Sequence, residues 1–372
     1  MAGWLKDGEV VERVLGHIAQ GTTDVATEVW REPVANYQSE ERLRAEIERV
    51  LRRTPSAFCP SASLAEPGAY VAREAAGTPL LAVRGEDGKV RAFRNACRHR
   101  GMQVASGAGT AKAFPCRYHG WTYGLDGALK RVPHEHGFPG LDKSCHGLVP
   151  VATTERCGLV FVIQDGPEDW SSLEDLPVVI PPRQTVHSTS EVITEANWKV
   201  ALEGFIEGYH IRSTHKDTFY PYGFDNLNII ELVGLHSRVT YPFRRIQKLE
   251  KVPPAERRVD GLLTYVYHLF PNALITQLSR HTNLIVLEPL GTDRVRNIRY
   301  TLIDRGDGSA QALADAERDV DFARNSGGAE DVAVIQDIQR ALRSGANEAF
   351  TFGLFEGAIS HFHRNLTRAL AM

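Results

Sequence analysis

The sequence predicts an α+β protein in two parts, an antiparallel β module followed by a larger domain of helices and long strands. Three observations carry this expectation. At 372 residues the chain exceeds a usual single domain. Between residues 70 and 162, short apolar runs alternate with Asp-Gly and Gly punctuation. Past the acidic, proline-bearing stretch 165–182, helical spacing at 197–215 and 311–343 brackets strand-like runs from 229 to 303.

Taken in order, the first ten residues lack the charged start, apolar core and cleavage site of a secretory leader, so a cytoplasmic protein is expected. Residues 39–53 carry apolar positions at helical spacing, closed by Pro55 and Pro60, as in a surface helix entering a new domain. Leu80-Leu81-Ala82-Val83 and Val90-Arg91-Ala92-Phe93 read as strands joined by an Asp87-Gly88 turn, and Gly158-Leu159-Val160-Phe161-Val162 closes the module. The expected division is a helical segment 1–53 packing on the second domain, the β module 54–164, and the α+β domain 165–372. Within the last, two helices between 311 and 343 are parted by Gly327-Gly328.

Hydrophobic residues make up 42% and charged residues 24%, as in an ordinary globular protein, and the net charge of −3 suits no polyanionic partner. No basic stretch interleaved with aromatics suggests nucleic-acid binding, and no apolar run approaches the roughly 20 residues of a membrane span. Five cysteines, an odd number, argue for reduced thiols, some bound to metal, over a disulfide framework.

The strongest pattern is Cys97-Arg98-His99, sixteen intervening residues, then Cys116-Arg117-Tyr118-His119, with Gly101, Gly120 and Trp121 beside the pairs. Each pair follows a predicted strand in a Gly-flanked loop, so two loop tips can meet at one centre. Structural zinc is the alternative, but it commonly pairs like ligands, whereas here each loop supplies one thiolate and one imidazole. That mixture suits a Rieske [2Fe-2S] centre, in which two Cys hold one iron and two His the other. The segments Cys97-Arg98-His99-Arg100-Gly101 and Cys116-Arg117-Tyr118-His119-Gly120-Trp121 resemble the two Rieske boxes of ring-hydroxylating oxygenases. Respiratory Rieske proteins add a Cys inside each box, and none stands there here.

A Rieske module alone could be an electron carrier, so the remaining chain decides. Residues 197–215 read as a helix, with Glu203, Glu207 and His210 on one face at about 100° per residue and Leu202, Phe205 and Ile206 around them. On the plainer reading this is a solvated stripe with one core histidine. The apolar surroundings point instead to a buried charge partner such as a metal. His215 lies roughly 140° from His210 on a regular helix, so both reach one ion only if the helix bends or ends between them. Two histidines and one carboxylate leave open positions for O2, as in non-haem Fe(II) oxygenases. Asp331 is the candidate carboxylate, because on the helix 329–343 it shares a face with Ile335, Ile338 and Leu342, while Glu330 and Asp337 point away. A first-turn acid favourable to the helix dipole is the competing explanation.

The run Asn197-Trp198-Lys199 leading to Glu207-Gly208-Tyr209-His210 and His215, with Glu330-Asp331 and Gln339 later, is similar to the catalytic domain of Rieske oxygenase alpha subunits. The resemblance implies a helix-grip catalytic domain, His210, His215 and Asp331 as mononuclear iron ligands, and Glu207 as the relay from a neighbouring subunit's Rieske histidine. It also implies a homotrimer fed by a ferredoxin or NAD(P)H-dependent reductase, with O2 as cosubstrate. The chain departs from many members at Gly204, where they carry Asn. Glu at position 207 is shared with carnitine-oxygenase-like members. The expected activity is hydroxylation, or demethylation through hydroxylation, of an aromatic or other apolar ring in a largely apolar cavity. His268-Leu269-Phe270-Pro271-Asn272 is a candidate for its wall. The alternatives are a quaternary-ammonium monooxygenase and, from another class, a Rieske electron carrier with a ligand-binding domain.

Overall fold

The computed structural model describes residues 3–306, 309–325 and 328–371, which divide into two compact units. One comprises Arg52–Trp170 with Ile180–Pro182, the other Met1–Leu51, Ser171–Val179 and Arg183–Met372. The stretch 165–182 thus contributes to both.

In the smaller unit, seven strands form an antiparallel sheet ordered Ser56–Pro60, Leu159–Ile163, Pro150–Arg156, Val90–Arg94, Thr78–Arg84, Ala69–Ala75 and Gly107–Thr110. Asp87-Gly88 lies in the turn joining Thr78–Arg84 to Val90–Arg94, as its composition predicts. A second sheet pairs Phe114–Pro115, Thr122–Tyr123 and Leu129–Arg131. Leu81, Phe93, Phe114, Trp121 and Tyr123 share one buried core with Cys97 and Cys116. The loops between the strands are therefore anchored on a rigid interior.

The larger unit is built on a second seven-stranded antiparallel sheet. Its order runs Gln184–Thr194, Arg294–Asp304, His281–Gly291, Ala273–Leu278, Leu263–Leu269, His236–Pro242 and Ile229–Val233. Trp198, Ile335 and Phe362, from the helices Trp198–Glu203, Gly328–Leu342 and Gly357–Ala371, share a core with Val239, Val266, Ile285 and Leu287 of the strands. This is the expected α+β arrangement. Of the expected Gly327-Gly328 break, Gly327 lies outside the described residues, and Gly328 opens its helix after Ala310–Asn325.

The helix expected at 39–53 forms as Glu40–Ala45, capped by Ser39 Oγ accepting from the Arg42 N–H at 3.1 Å, and continues as a π-helical turn, Glu46–Leu51. It is an amphipathic surface helix, with Glu40, Glu41, Arg44, Glu48 and Arg49 exposed and Leu43, Glu46, Val50 and Leu51 buried. Glu46 tolerates this because Lys199 Nζ reaches its two oxygens at 2.7 and 2.9 Å, Trp198 Nε1 donates at 2.9 Å and Arg42 Nε at 3.0 Å. A buried carboxylate persists only with such partners. The contact ties the helix Trp198–Glu203 to the N-terminal segment.

Candidate metal centres and substrate cavity

Cys97 and Cys116 open two loops of matching geometry. The Cys97 N–H donates to Met102 O and the Gly101 N–H to Cys97 O, both at 2.8 Å; the Cys116 N–H donates to Trp121 O at 2.8 Å and the Gly120 N–H to Cys116 O at 2.9 Å. Gly101 and Gly120 take φ of 79° and 74°, left-handed backbone that glycine adopts without steric cost. The loops bring the His99 and His119 rings to 4.6 Å, and His99 stacks on Trp121 at 5.1 Å.

These residues fit a two-iron group. His99 Nδ1 is buried with no hydrogen-bond partner among the described residues, which costs about 1–3 kcal/mol unless the nitrogen is a metal ligand. Among the described residues, only His210, His215 and Asp331 bring three metal-binding donors within 4.8 Å of one another. One thiolate and one imidazole from each loop make the donor set of a two-iron Rieske group, with two Cys for one iron and two His for the other. Sequence reasoning missed Tyr123, whose hydroxyl accepts from the Arg98 N–H at 2.8 Å and lies 3.2 Å from Cys97 Sγ. Its proton is then free to donate to a thiolate there.

The helix expected across 197–215 is broken. Trp198–Glu203 is helical, residues 204–210 are not, and Ile211–Thr214 forms one further turn. Two glycines, Gly204 and Gly208, weaken the helix, and Glu207 supplies a competing local acceptor. Its Oε2 takes the backbone N–H groups of Tyr209 at 2.5 Å and His210 at 3.2 Å. Tyr241 fixes the unwound segment by donating to Phe205 O at 3.0 Å and Glu207 O at 2.9 Å. At Gly208 any Cβ would collide with the Asn228 side chain. Glu203 consequently does not share a face with Glu207 and His210, and instead accepts from Tyr37 and meets His363 Nε2, both at 2.8 Å.

His210 and His215 flank the single turn Ile211–Thr214, which ends before His215, and their rings lie 5.1 Å apart. Asp331 Oδ1 lies 2.8 Å from His215 Nε2 and 3.7 Å from His210 Nε2. The two Nδ1 atoms face outward to carboxylates: His210 Nδ1 to Glu207 Oε1, His215 Nδ1 to Glu330 Oε2 at 2.7 Å. Glu330 does not point away, as its helical position suggested, because it stands in the first turn of Gly328–Leu342 and also accepts from Thr218 Oγ1 at 2.7 Å. Each imidazole thus has one nitrogen fixed by an acid and the other turned toward the shared point, the arrangement that sets tautomer and ring orientation in metal sites. Two imidazoles and one carboxylate form a donor set suited to iron with open positions.

The three donors line a cavity of about 660 Å³. Phe205, Phe219 and Phe322 line it from outside the sheet, and the sheet contributes Tyr241, Val266 and Ile285 together with a polar strip of Thr276, Asn283, Asn297, Arg299 and Thr301. Apolar surface predominates in the lining, as expected, with these polar side chains set into it. His268-Leu269-Phe270-Pro271-Asn272 is not part of the wall. His268 is fully buried against Phe362 of the C-terminal helix at 5.2 Å, since that helix covers its end of the sheet.

Residues 180–372 match the family described as ring hydroxylating alpha subunit (catalytic domain), and residues 54–150 match the Rieske [2Fe-2S] domain. The carnitine monooxygenase oxygenase subunit of Acinetobacter pittii is 31% identical over 197 residues, 50% of this chain and 53% of that one, so the chain spans about half of that relative's length. The large oxygenase component of the naphthalene 1,2-dioxygenase system of Pseudomonas aeruginosa is 35% identical over 199 residues, 47% of this chain and 42% of its own. A solved quaternary ammonium Rieske monooxygenase, described for carnitine oxidation and inter-subunit electron transfer, shares the fold at a TM-score of 0.79 and 20% identity, covering 99% of this chain and 100% of its own.

Proposed function

Because this chain belongs to the ring-hydroxylating alpha-subunit family of Rieske non-haem iron oxygenases, we propose that it uses O2 and reductase-derived electrons to hydroxylate a small organic substrate in the cavity beside His210, His215 and Asp331. The observation that carries this is the convergence of those three donors at the cavity wall. A mononuclear iron held by them supplies open positions for O2 activation. The Rieske group, held by Cys97, His99, Cys116 and His119, supplies electrons singly.

The chain's own residues do the rest. Glu207 and Glu330 hold His210 and His215 with Nε2 turned inward. Phe205, Phe219 and Phe322 exclude water, which orients the substrate and protects it from side reactions. Beside Glu207, the rings of Tyr209 and Phe355 lie 5.7 Å apart and are 60% and 36% exposed. Large aromatic surface left open suits a protein contact. In this reading a neighbouring subunit of a homotrimer presents its Rieske histidine there, and Glu207 bridges that histidine to His210. A ferredoxin or NAD(P)H-dependent reductase would serve as donor in the cytoplasm. No described helix is long and apolar enough to cross a membrane.

An aromatic or other apolar ring fits the aromatic wall. A quaternary ammonium substrate is the second reading, supported by the similarity to the Acinetobacter carnitine monooxygenase subunit. Turnover with 18O-labelled O2 and both substrate classes separates them. Label in a ring hydroxyl supports the first, and demethylation or chain cleavage of a trimethylammonium compound supports the second. Reductant-driven O2 consumption independent of every substrate would refute both.

A further inference from the structure

We infer that Arg299 is the anion-binding residue of this cavity and that the substrate oxidised there carries a carboxylate, which rests on the oxygenase reading of the same cavity. Arg299 stands on the strand Arg294–Asp304, opposite Ser190 and Ile285, and faces the cavity with Asn297 and Thr301 at alternate positions. Those neighbours are satisfied within the wall. Asn297 donates to Val192 O at 3.2 Å and Thr194 Oγ1 at 3.0 Å, and Thr301 Oγ1 donates to Asn283 Oδ1 at 2.9 Å.

Arg299 is not. Its Nε is buried without a partner, and no carboxylate pairs with it among the described residues. Arg238, in the same sheet, shows what a buried arginine ordinarily has: Glu231 at 2.6 and 2.8 Å, Tyr267 Oη at 3.1 Å and Leu5 O at 2.8 Å. Burial alone acts on Arg299 and lowers its pKa, whereas Arg238 is raised despite its own burial by Tyr267 and Glu231. Buried charges are kept only when something pairs with them. The cavity's acids, Glu207 and Asp331, are engaged with His210 and His215.

Arg299 is half-buried: its Nε is buried and unpaired while the side chain lines the cavity, and a guanidinium fork matches a carboxylate with two parallel hydrogen bonds. The metal donors come from the helical layer and Arg299 from the sheet. A substrate spanning the cavity would leave its carboxylate on the sheet and offer its oxidisable carbon to the other side. The same cation disfavours a quaternary ammonium compound that lacks an acid group.

The test is calorimetric titration of the metal-loaded, oxygen-free protein with matched probes: benzoate against benzamide, and 4-(trimethylammonio)butanoate against its methyl ester. In at least one scaffold the acid should bind about tenfold tighter or more than its neutral counterpart. Arg299→Gln should abolish that preference while Arg299→Lys retains part of it. The melting temperature of Arg299→Gln should not fall, since Arg299 has no carboxylate partner to lose among the described residues and its unpaired buried Nε is removed. Equal affinity within both pairs, or a preference that survives Arg299→Gln, overturns the inference. Substrate-dependent O2 uptake is measured alongside: its absence with the acid preference intact would sink the oxygenase reading alone.

Discussion

Glu207→Gln isolates what holds the His210 ring. The carboxylate accepts on one oxygen from the N–H groups of Tyr209 at 2.5 Å and His210 at 3.2 Å, and its other oxygen faces His210 Nδ1. An amide offers a single acceptor oxygen and an NH2 group. If the oxygen keeps the backbone donors, the NH2 confronts Nδ1 and selects the tautomer protonated at Nε2, which cannot ligate a metal. If it turns the other way, two backbone N–H groups meet a donor. Loss of such an outer contact typically costs 10–100-fold in metal affinity, about 1.4–2.7 kcal/mol. Anaerobic Fe(II) titration of the protein with its cluster intact should show that weakening, while the reduced-cluster spin-resonance signal stays unchanged. At saturating Fe(II), cluster oxidation in a single turnover should still be slower if Glu207 is the proposed bridge between subunits. An Fe(II) affinity within about twofold of the unaltered protein, together with the same single-turnover rate, would refute both roles.

Lys199→Met takes the ammonium from the fully buried Glu46 carboxylate and leaves it Arg42 and Trp198 as partners, so the urea midpoint should fall by the equivalent of about 1.5–3 kcal/mol, with part of the loss restored when Glu46→Gln is added. An unchanged midpoint would count against the buried pair. Burial lowers the pKa of His268 to about 3 and of His361 to about 4, and His236 moves the same way. Below about pH 6.5 the unfolded chain therefore binds protons that the folded chain refuses. Stability is full above that pH and declines toward pH 4; His268→Gln should flatten the decline in thermal melts, and an identical slope would argue against it. Tyr123→Phe removes the hydroxyl donor beside Cys97 Sγ and should lower the cluster's midpoint potential in a spin-resonance redox titration.

The cluster residues were legible because all four donors lie within two short loops, so spacing alone brings them together. Helical face singled out His210 and Asp331, while the set His210, His215 and Asp331 was implied by the family resemblance, since His215 lay off that face. A helix across 197–215 that bends or ends between His210 and His215 was expected; it ends there, and the competing acceptor Glu207 with two glycines also unwinds it earlier, at 204–210. Glu330 was misread because side-chain direction was taken from a helical wheel, which ignores how far a first-turn Glu reaches toward a neighbouring segment. The segment 268–272 was misplaced because alternation identifies a strand's face and not which length of it a helix covers. The polar strip had a signal. Asn297, Arg299 and Thr301 recur at alternate positions between the buried Ile298, Tyr300 and Leu302, a pattern that marks a wet or ligand-facing surface.

The central claim is that this chain carries a second metal site, distinct from its cluster, on His210, His215 and Asp331. Iron and acid-labile sulfide counted per chain, for the unaltered protein and for Asp331→Ala, test it most directly. The account predicts two cluster irons with their sulfides plus one further iron, and selective loss of that last iron in Asp331→Ala with the Rieske signal intact. Iron equal to sulfide in both proteins would contradict it and leave the chain an electron carrier.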